Sequence, residues 1–381
     1  MKILHIINSL KKGGAEGNLY RLCVTHKKKY KNKIDIIIVT LIADGFYEQE
    51  LKKIGVKIIS LGINENYKIY SFAKKILTLR KFIKKNNPNI IQSWMYHSNF
   101  ISIFLPKINY NKIYWNIRHS ELNNKISKKI TIILSIICGI FSRIVPKKII
   151  YCSEKSIKFH ENNHFYSKKK TSLINNGYSH KNYYQANNLR TNFRKINKIK
   201  KVDIILGYAG RYSKQKNIEA LLISFSKIIK NYNNVYLYMA GKNINLKNKR
   251  LTSIVLKFQM DKKIFFLDEQ KSLLEFYNGI DLLILPSHSE SFPNVVAEAM
   301  LCSTPVLASD AGCSKKIISK YGFILKKNDY RSITNALKKT INLLINKKSY
   351  WKNLTKNARL HIKRNFSLEK MAKTYLDHWI Y

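Results

Sequence analysis

Short, nearly unbroken apolar runs alternate along this chain with stretches in which apolar residues recur every three or four positions. Runs of the first kind, at 2–8, 34–40, 56–61, 90–93, 112–117, 148–152 and 171–174, have the length of strands buried on both faces of a parallel sheet. Helical spacing fits 15–25, 46–53 and 71–85 between them. A second series of strands follows at 204–208, 235–240, 264–267, 281–285 and 306–309, with helices at 218–230, 273–278 and 294–300. Helices at 332–346 and 351–365, and one starting at 367, close the chain. Such alternation predicts parallel β-α-β units, and 381 residues exceed one ordinary core, so two doubly wound α/β domains are expected. The polar, basic stretch 183–201 reads as the linker between a domain at 1–182 and another at 202–366, with 367–381 as a final helix.

The densest pattern is 281–312, DLLILPSHSESFPNVVAEAMLCSTPVLASDAG. A buried strand stops at Pro286, a polar loop follows, and Pro293 takes a first helical position, where its missing N–H costs nothing. Glu290 in the loop and Glu298 in the helix stand eight positions apart. The helix N-terminus, near Asn294 and Val295, favours an anion. A carboxylate on each side of an anion site suits a ligand with phosphate in the middle and hydroxyls at both ends, as in a nucleotide-sugar. Alternatively, Glu298 is a solvated helix residue and Glu290 an ordinary loop residue.

Two further turns carry candidate chemistry. Gly13-Gly14 follows the first strand and lets the backbone turn tightly, although it is not G-x-G-x-x-G and fits a plain turn equally. After the first strand of the second series, Gly210-Arg211 with Lys216 five residues on places two cations near a helix N-terminus, an arrangement suited to a diphosphate. The strand at 112–117 ends in Arg118-His119-Ser120, and ligands of open α/β sheets lie beyond strand carboxyl ends.

ESFPNVVAEAM followed by PVLASDAG resembles the E-x7-E signature of family-4 glycosyltransferases; G-G-A-E at 13–16, G-R-x4-K at 210–216 and N-N-G at 175–177 resemble further elements of that family. The resemblance spans nearly the whole chain and is strongest over 203–330. It implies the GT-B architecture: two facing Rossmann-like domains, acceptor in the first and donor in the second, with the last helix crossing back onto the first. It further implies a retaining transfer of sugar from a nucleoside-diphosphate sugar to a glycan or lipid-linked acceptor in capsule, O-antigen or lipopolysaccharide biosynthesis. The residues it implies for catalysis are Arg211, Lys216, Glu290 and His119. For the donor it implies Gly14, Arg118, Gly210, Arg211, Lys216, Glu290, Ser291, Phe292, Pro293, Asn294, Val295 and Glu298, either Arg118 or His119 facing the sugar. Tyr178-Ser179 and Lys315-Lys316 depart from the family pattern. Another GT-B activity, such as an epimerase or phosphorylase, is the alternative.

No D-x-D is present, so neither a carboxylate-bound metal nor a cofactor is expected beside the donor. Five scattered cysteines without C-x-x-C spacing indicate neither a disulfide framework nor a zinc site, and the cytoplasm is the expected compartment. The opening segment is too short in its apolar part for a signal peptide.

The formal net charge is +48, with 34 basic and 9 acidic residues in 1–182 and 36 and 13 in the remainder. A basic nucleic-acid-binding α/β protein is the rival reading, but the excess is spread evenly and no finger, helix-turn-helix or RNP pattern accompanies it, so no nucleic acid is expected. An anionic membrane surface is the better partner, giving a peripheral protein on the cytoplasmic face of the inner membrane. The apolar segment 130–141 is too short to span a bilayer, and reads as a core helix or one dipping into the headgroups.

Overall fold

The computed structural model describes every residue except Asp44, 64–68, 123–126 and Tyr381. The chain divides into two compact units, Met1–Gly177 with Leu368–Tyr381, and Tyr178–Ser367.

The first unit holds seven parallel strands: β1 (Lys2–Ile7), β2 (Asp35–Thr40), β3 (Lys57–Ser60), β4 (Ile90–Trp94), β5 (Ile113–Ile117), β6 (Lys148–Tyr151) and β7 (Thr171–Leu173). Their order is β3-β2-β1-β4-β5-β6-β7, so the winding reverses between β1 and β4. β2 is buried from Ile36 to Thr40, which is why it reads as an apolar run rather than an alternating one; β4 and β5 are buried at every position too, with Gln92, Ser93 and Asn116 as their polar members.

The second unit repeats the design with six parallel strands: β8 (Ile204–Ala209), β9 (Val235–Ala240), β10 (Ile264–Phe266), β11 (Leu282–Leu285), β12 (Val306–Ser309) and β13 (Phe323–Leu325). The order β10-β9-β8-β11-β12-β13 reverses between β8 and β11. β13 is only three residues long. Two Rossmann-like α/β sheets therefore make up the chain.

The helix Leu368–Ile380 belongs to the first unit. Met371, Ala372, Tyr375 and Trp379 enter one core with Leu19, Leu22, Ile36 and Trp94. Its polar groups are matched as well: Trp379 Nε1 donates to Gln92 Oε1 (3.2 Å) and Asn116 Nδ2 donates to Tyr375 Oη (2.6 Å).

Two expectations change. The stretch 183–201 is not a free linker: it lies within the second unit and contains the helix Asn187–Ile196. Phe193 packs edge-on against Phe276 and Tyr238, while Arg190 and Arg194 each place a nitrogen 2.6 Å from the Asp281 carboxylate. The basic letters that looked like linker are the anchors of that helix. The segment 130–141 is not a core helix on all sides either, since the helix Lys129–Phe141 buries Leu134, Ser135, Cys138 and Gly139 but exposes Ile130, Ile133, Ile140 and Phe141.

Candidate functional site

In the second unit the loops after β8 and β11 leave the sheet side by side at its reversal point, where ligands of open α/β sheets bind. The loop after β8 begins at Gly210, against which the backbone of Gly241 lies so closely that a Cβ at Gly241 would meet the Gly210 carbonyl oxygen at 2.1 Å. Arg211 is exposed. The turn Lys214–Lys216 follows, and Asn217, in the left-handed region at φ +54°, starts the helix Ile218–Ile228. Asn217 Nδ2 donates to the carbonyls of Pro286 (3.2 Å) and Asn328 (2.7 Å), tying the loop to the end of β11.

The loop after β11 runs from Pro286 to Pro293. Its backbone is joined to the first loop by Gln215, whose side chain donates to the Ser289 carbonyl (2.7 Å) and whose carbonyl accepts from His288 N (2.8 Å). Glu290 is buried; its Oε1 accepts from Lys216 Nζ (2.5 Å) and from Ser287 Oγ (2.7 Å). Behind it, Gly312 at φ +56° leaves no room for a side chain, because a Cβ there would stand 2.0 Å from the Glu290 carbonyl oxygen. Ser291 is half-buried and its carbonyl accepts from Cys313 N (3.1 Å).

The helix Asn294–Leu301 then begins, with Pro293 as its extended cap residue (ψ 99°) rather than its first helical residue. Its first-turn amides lack intrahelical acceptors and carry partial positive charge. Asn294 and Val295 are half-buried in that turn, and Tyr178 Oη donates to Asn294 Oδ1 (2.7 Å). Phe292 is buried, stacked with Tyr178 at 6.2 Å and set edge-on to Phe366 at 5.9 Å. Glu298, one and a half turns further, is buried and accepts from Tyr277 Oη (3.0 Å), so it is not a solvated helix residue. Burial, and then the nearby Glu298, push the Tyr277 phenol well above its ordinary range; burial and then Glu290 do the same to Tyr208. Both stay neutral: Tyr277 donates to its carboxylate, while the buried Tyr208 Oη has no hydrogen-bond partner among the described residues.

The structure thus gathers Gly210, Arg211, Lys216, Glu290, Ser291, Phe292, Pro293, Asn294, Val295 and Glu298 at one end of one sheet. Ser287, Gln215, Asn217, Tyr208, Tyr277 and Tyr178 support them and were not singled out from sequence. Of these only Asn217, an Asn just before a helical run, carried a local signal, as a residue that tolerates the left-handed region.

Gly14, Arg118 and His119 lie in the first unit. Gly14 is exposed and opens the helix Gly14–Tyr30 with Gly13 as its cap. Arg118 is not available to a donor, which corrects its assignment. It is buried; Nε donates to Asn116 Oδ1 (2.6 Å), one terminal nitrogen to Asn176 Oδ1 (2.6 Å) and the other to Tyr375 Oη, while the guanidinium lies 5.4 Å from the Trp94 ring. Its work is to hold the final helix on β5. His119 is half-buried beside Tyr96, ring centroids 5.6 Å apart, and so is the residue of the two that reaches solvent beyond β5. Among the described residues, no group of three or more His, Cys, Asp or Glu is placed to hold a metal ion.

Residues 190–361 match the family described as "Glycosyl transferases group 1". The capsular polysaccharide biosynthesis glycosyltransferase CapM of Staphylococcus aureus is 28% identical over 191 residues, which take in about half of each chain, 48% and 49%. The N,N'-diacetylbacillosaminyl-diphospho-undecaprenol alpha-1,3-N-acetylgalactosaminyltransferase of Campylobacter jejuni is 24% identical over 375 residues, 95% of this chain and 96% of that one. Among solved structures, Anabaena HepE in complex with UDP and glucose shares the fold over 99% of both chains, with a TM-score of 0.81 and 17% identity.

Proposed function

We propose that the chain, whose residues 190–361 match the glycosyl transferases of group 1, moves a sugar from a nucleoside-diphosphate sugar to a glycan or lipid-linked acceptor, with retention at the anomeric carbon, in the synthesis of a bacterial surface polysaccharide. One observation carries the reading: Lys216, Glu290 and the N-terminus of the helix Asn294–Leu301 converge at the reversal point of the second sheet. Cations and helix amides take the diphosphate, and the two carboxylates on either side take hydroxyls. Relatives support the product class: CapM is named for capsular polysaccharide, the Campylobacter enzyme for a diphospho-undecaprenol acceptor, and HepE was solved with UDP.

Chemically, bond cleavage at the anomeric carbon gathers negative charge on the leaving diphosphate. Arg211, Lys216 and the first-turn amides stabilise that charge where it develops, a contribution on the order of 10²–10³ in rate for each donor. Glu290 orients a hydroxyl of the transferred sugar and Glu298 the ribose, while Tyr277 fixes the Glu298 carboxylate. Glu290 is held by Lys216 and Ser287 and serves for orientation rather than covalent attack, so attack comes from the face the diphosphate leaves and the departing phosphate accepts the acceptor's proton. Side-chain cations carry the charge balance, and no metal or cofactor enters the proposal. The chain works at an anionic membrane surface on the cytoplasmic face without spanning it; no described helix is long and apolar enough to cross.

The test is a panel of nucleotide-sugars offered to the purified chain with a membrane-lipid extract. Transfer from one of them with release of nucleoside diphosphate, and an α-linked product from an α-linked donor, is expected. Release from none of them would end the reading.

A further inference from the structure

The helix Lys129–Phe141 turns an apolar row outward. Ile130, Ile133, Ile140 and Phe141, with Ile144 in the next turn, follow spacings of three, seven, one and three residues, which share one helix face. Ile133, Ile140 and Ile144 are 51%, 56% and 64% exposed. Singly exposed apolar residues need no explanation, but a continuous row of them marks a surface that something covers.

The row ends beside a cleft of about 570 Å³ lined by Arg143, Glu161, Phe165, Lys168, Lys169 and Lys170 among others. Ser167 N donates to Ser142 Oγ (2.8 Å) and Lys170 Nζ to the Ile144 carbonyl (3.3 Å), which fixes the cleft against the end of the row. Four cations stand around one carboxylate, and Glu161 already accepts from Thr171 Oγ1 (2.5 Å). Partial burial lowers the Lys170 pKa, so an anion seated there offsets a cost the fold already carries. Phe165, 59% exposed, sits at φ +63°, a conformation bulky residues rarely adopt and one that marks functional segments. Lys128 and Lys129 bracket the other end of the row. The cleft precedes β6 and β7, at the sheet edge opposite the strand carboxyl ends near which Gly14 and His119 lie.

We propose that this row and cleft are the membrane-docking face of the chain: the isoleucines enter the boundary between headgroups and acyl chains, and the cleft seats the phosphate of an anionic phospholipid. The inference deepens the proposed membrane location by naming its surface. Charge selects the occupant, because a second copy would bring its own +48 to a row bracketed by cations, whereas an anionic bilayer complements it.

The experiment is flotation of the full chain with vesicles of phosphatidylcholine, alone or mixed with phosphatidylglycerol, at low and high salt. Binding is expected to the mixed vesicles only, with part of it surviving high salt. Replacing Lys168, Lys169 and Lys170 by Ala should weaken it about fivefold per cation, the value of one basic residue at an anionic surface. Replacing exposed Lys227, Lys230 and Lys339 by Ala, on the second unit, should change it less than twofold in all. Ile133→Ser with Ile140→Ser should remove the salt-resistant part and leave the melting temperature unchanged. Equal losses from both lysine triples would reduce the effect to net charge and overturn the site. So would competition by inorganic phosphate at matched ionic strength with the isoleucine variants binding normally, which would make the cleft a free-anion site. A wild type that dimerises in solution, and loses the dimer in the isoleucine variants, would assign the row to a second copy. UDP binding, measured on the same samples, separates this inference from the transferase reading: vesicle binding can fail while UDP binds, or the reverse.

Discussion

Lys216 Nζ lies 2.5 Å from Glu290 Oε1, linking the loop after β8 to the loop after β11 although the residues are 74 positions apart. Lys216 and Glu290 are therefore one coupled pair, with Ser287 Oγ as the second donor to the same oxygen. Both side chains are largely shielded from solvent, so removing either leaves the other charge poorly compensated.

Arg211 and Lys216 should consequently behave differently when replaced. Lys216→Ala is expected to lower turnover about 10²–10³-fold and stability by about 3 kcal/mol, the low end for a broken buried pair because Ser287 still donates. Arg211→Ala should bring the same kinetic loss with an unchanged melting temperature, since Arg211 is exposed. Equal melting temperatures for the two variants would show that the pair contributes nothing to the fold.

Gly312 tests how tightly the Glu290 loop is held. A Cβ at Gly312 meets the Glu290 carbonyl oxygen at 2.0 Å, whereas one at Gly55, also at positive φ, meets nothing within 4 Å. Gly55→Ala should cost about 1 kcal/mol of backbone strain and leave turnover intact. Gly312→Ala should displace the loop and lower turnover more than tenfold. Full activity in Gly312→Ala would mean that the loop relaxes without consequence.

Acid should act on the first unit through its buried histidines. Burial pulls His5 down to about 3, with His26 adding to the effect, and burial likewise pulls His160 to about 3, opposed in part by its bond to the Ser156 carbonyl. His160 is built to be neutral, its Nε2 and Nδ1 each 2.7 Å from Tyr96 Oη and the Ser156 carbonyl. Because the unfolded chain takes up these protons near pH 6.5 and the folded chain does not, the stabilisation is complete above about pH 6.5. It is lost as pH falls toward 3, at about 1.4 kcal/mol per pH unit for each histidine. His160→Gln should flatten this slope in acid unfolding monitored by tryptophan fluorescence; an unchanged slope would contradict the assignment.

Metal independence is a separate expectation. Transfer should survive excess EDTA if, as proposed, Arg211 and Lys216 balance the diphosphate. Loss on chelation with recovery in Mg²⁺ or Mn²⁺ would show a metal that the side-chain account omits.

The sheets were legible because buried parallel strands such as β2 and β11 have no polar face to blur their apolar runs. The Glu290 loop was legible because Pro286 and Pro293 bracket it and the letters between match a known pattern. Other features depend on partners far away in sequence. Arg190 and Arg194 look like linker residues until Asp281, some 90 positions on, pairs with them. Arg118 looks like a ligand cation until the final helix brings Tyr375 against it across 257 positions. The apolar segment 130–141 looked like core because composition reports how apolar a helix is, not which of its faces the fold leaves uncovered.

The most direct measurement of the central claim is calorimetric titration of the wild type, Arg211→Ala and Lys216→Ala with UDP and GDP at physiological salt. Saturable binding of one diphosphate by the wild type, weakened at least tenfold in each variant, is the predicted result. No saturable binding of either nucleotide, or binding undiminished in both variants, would contradict it.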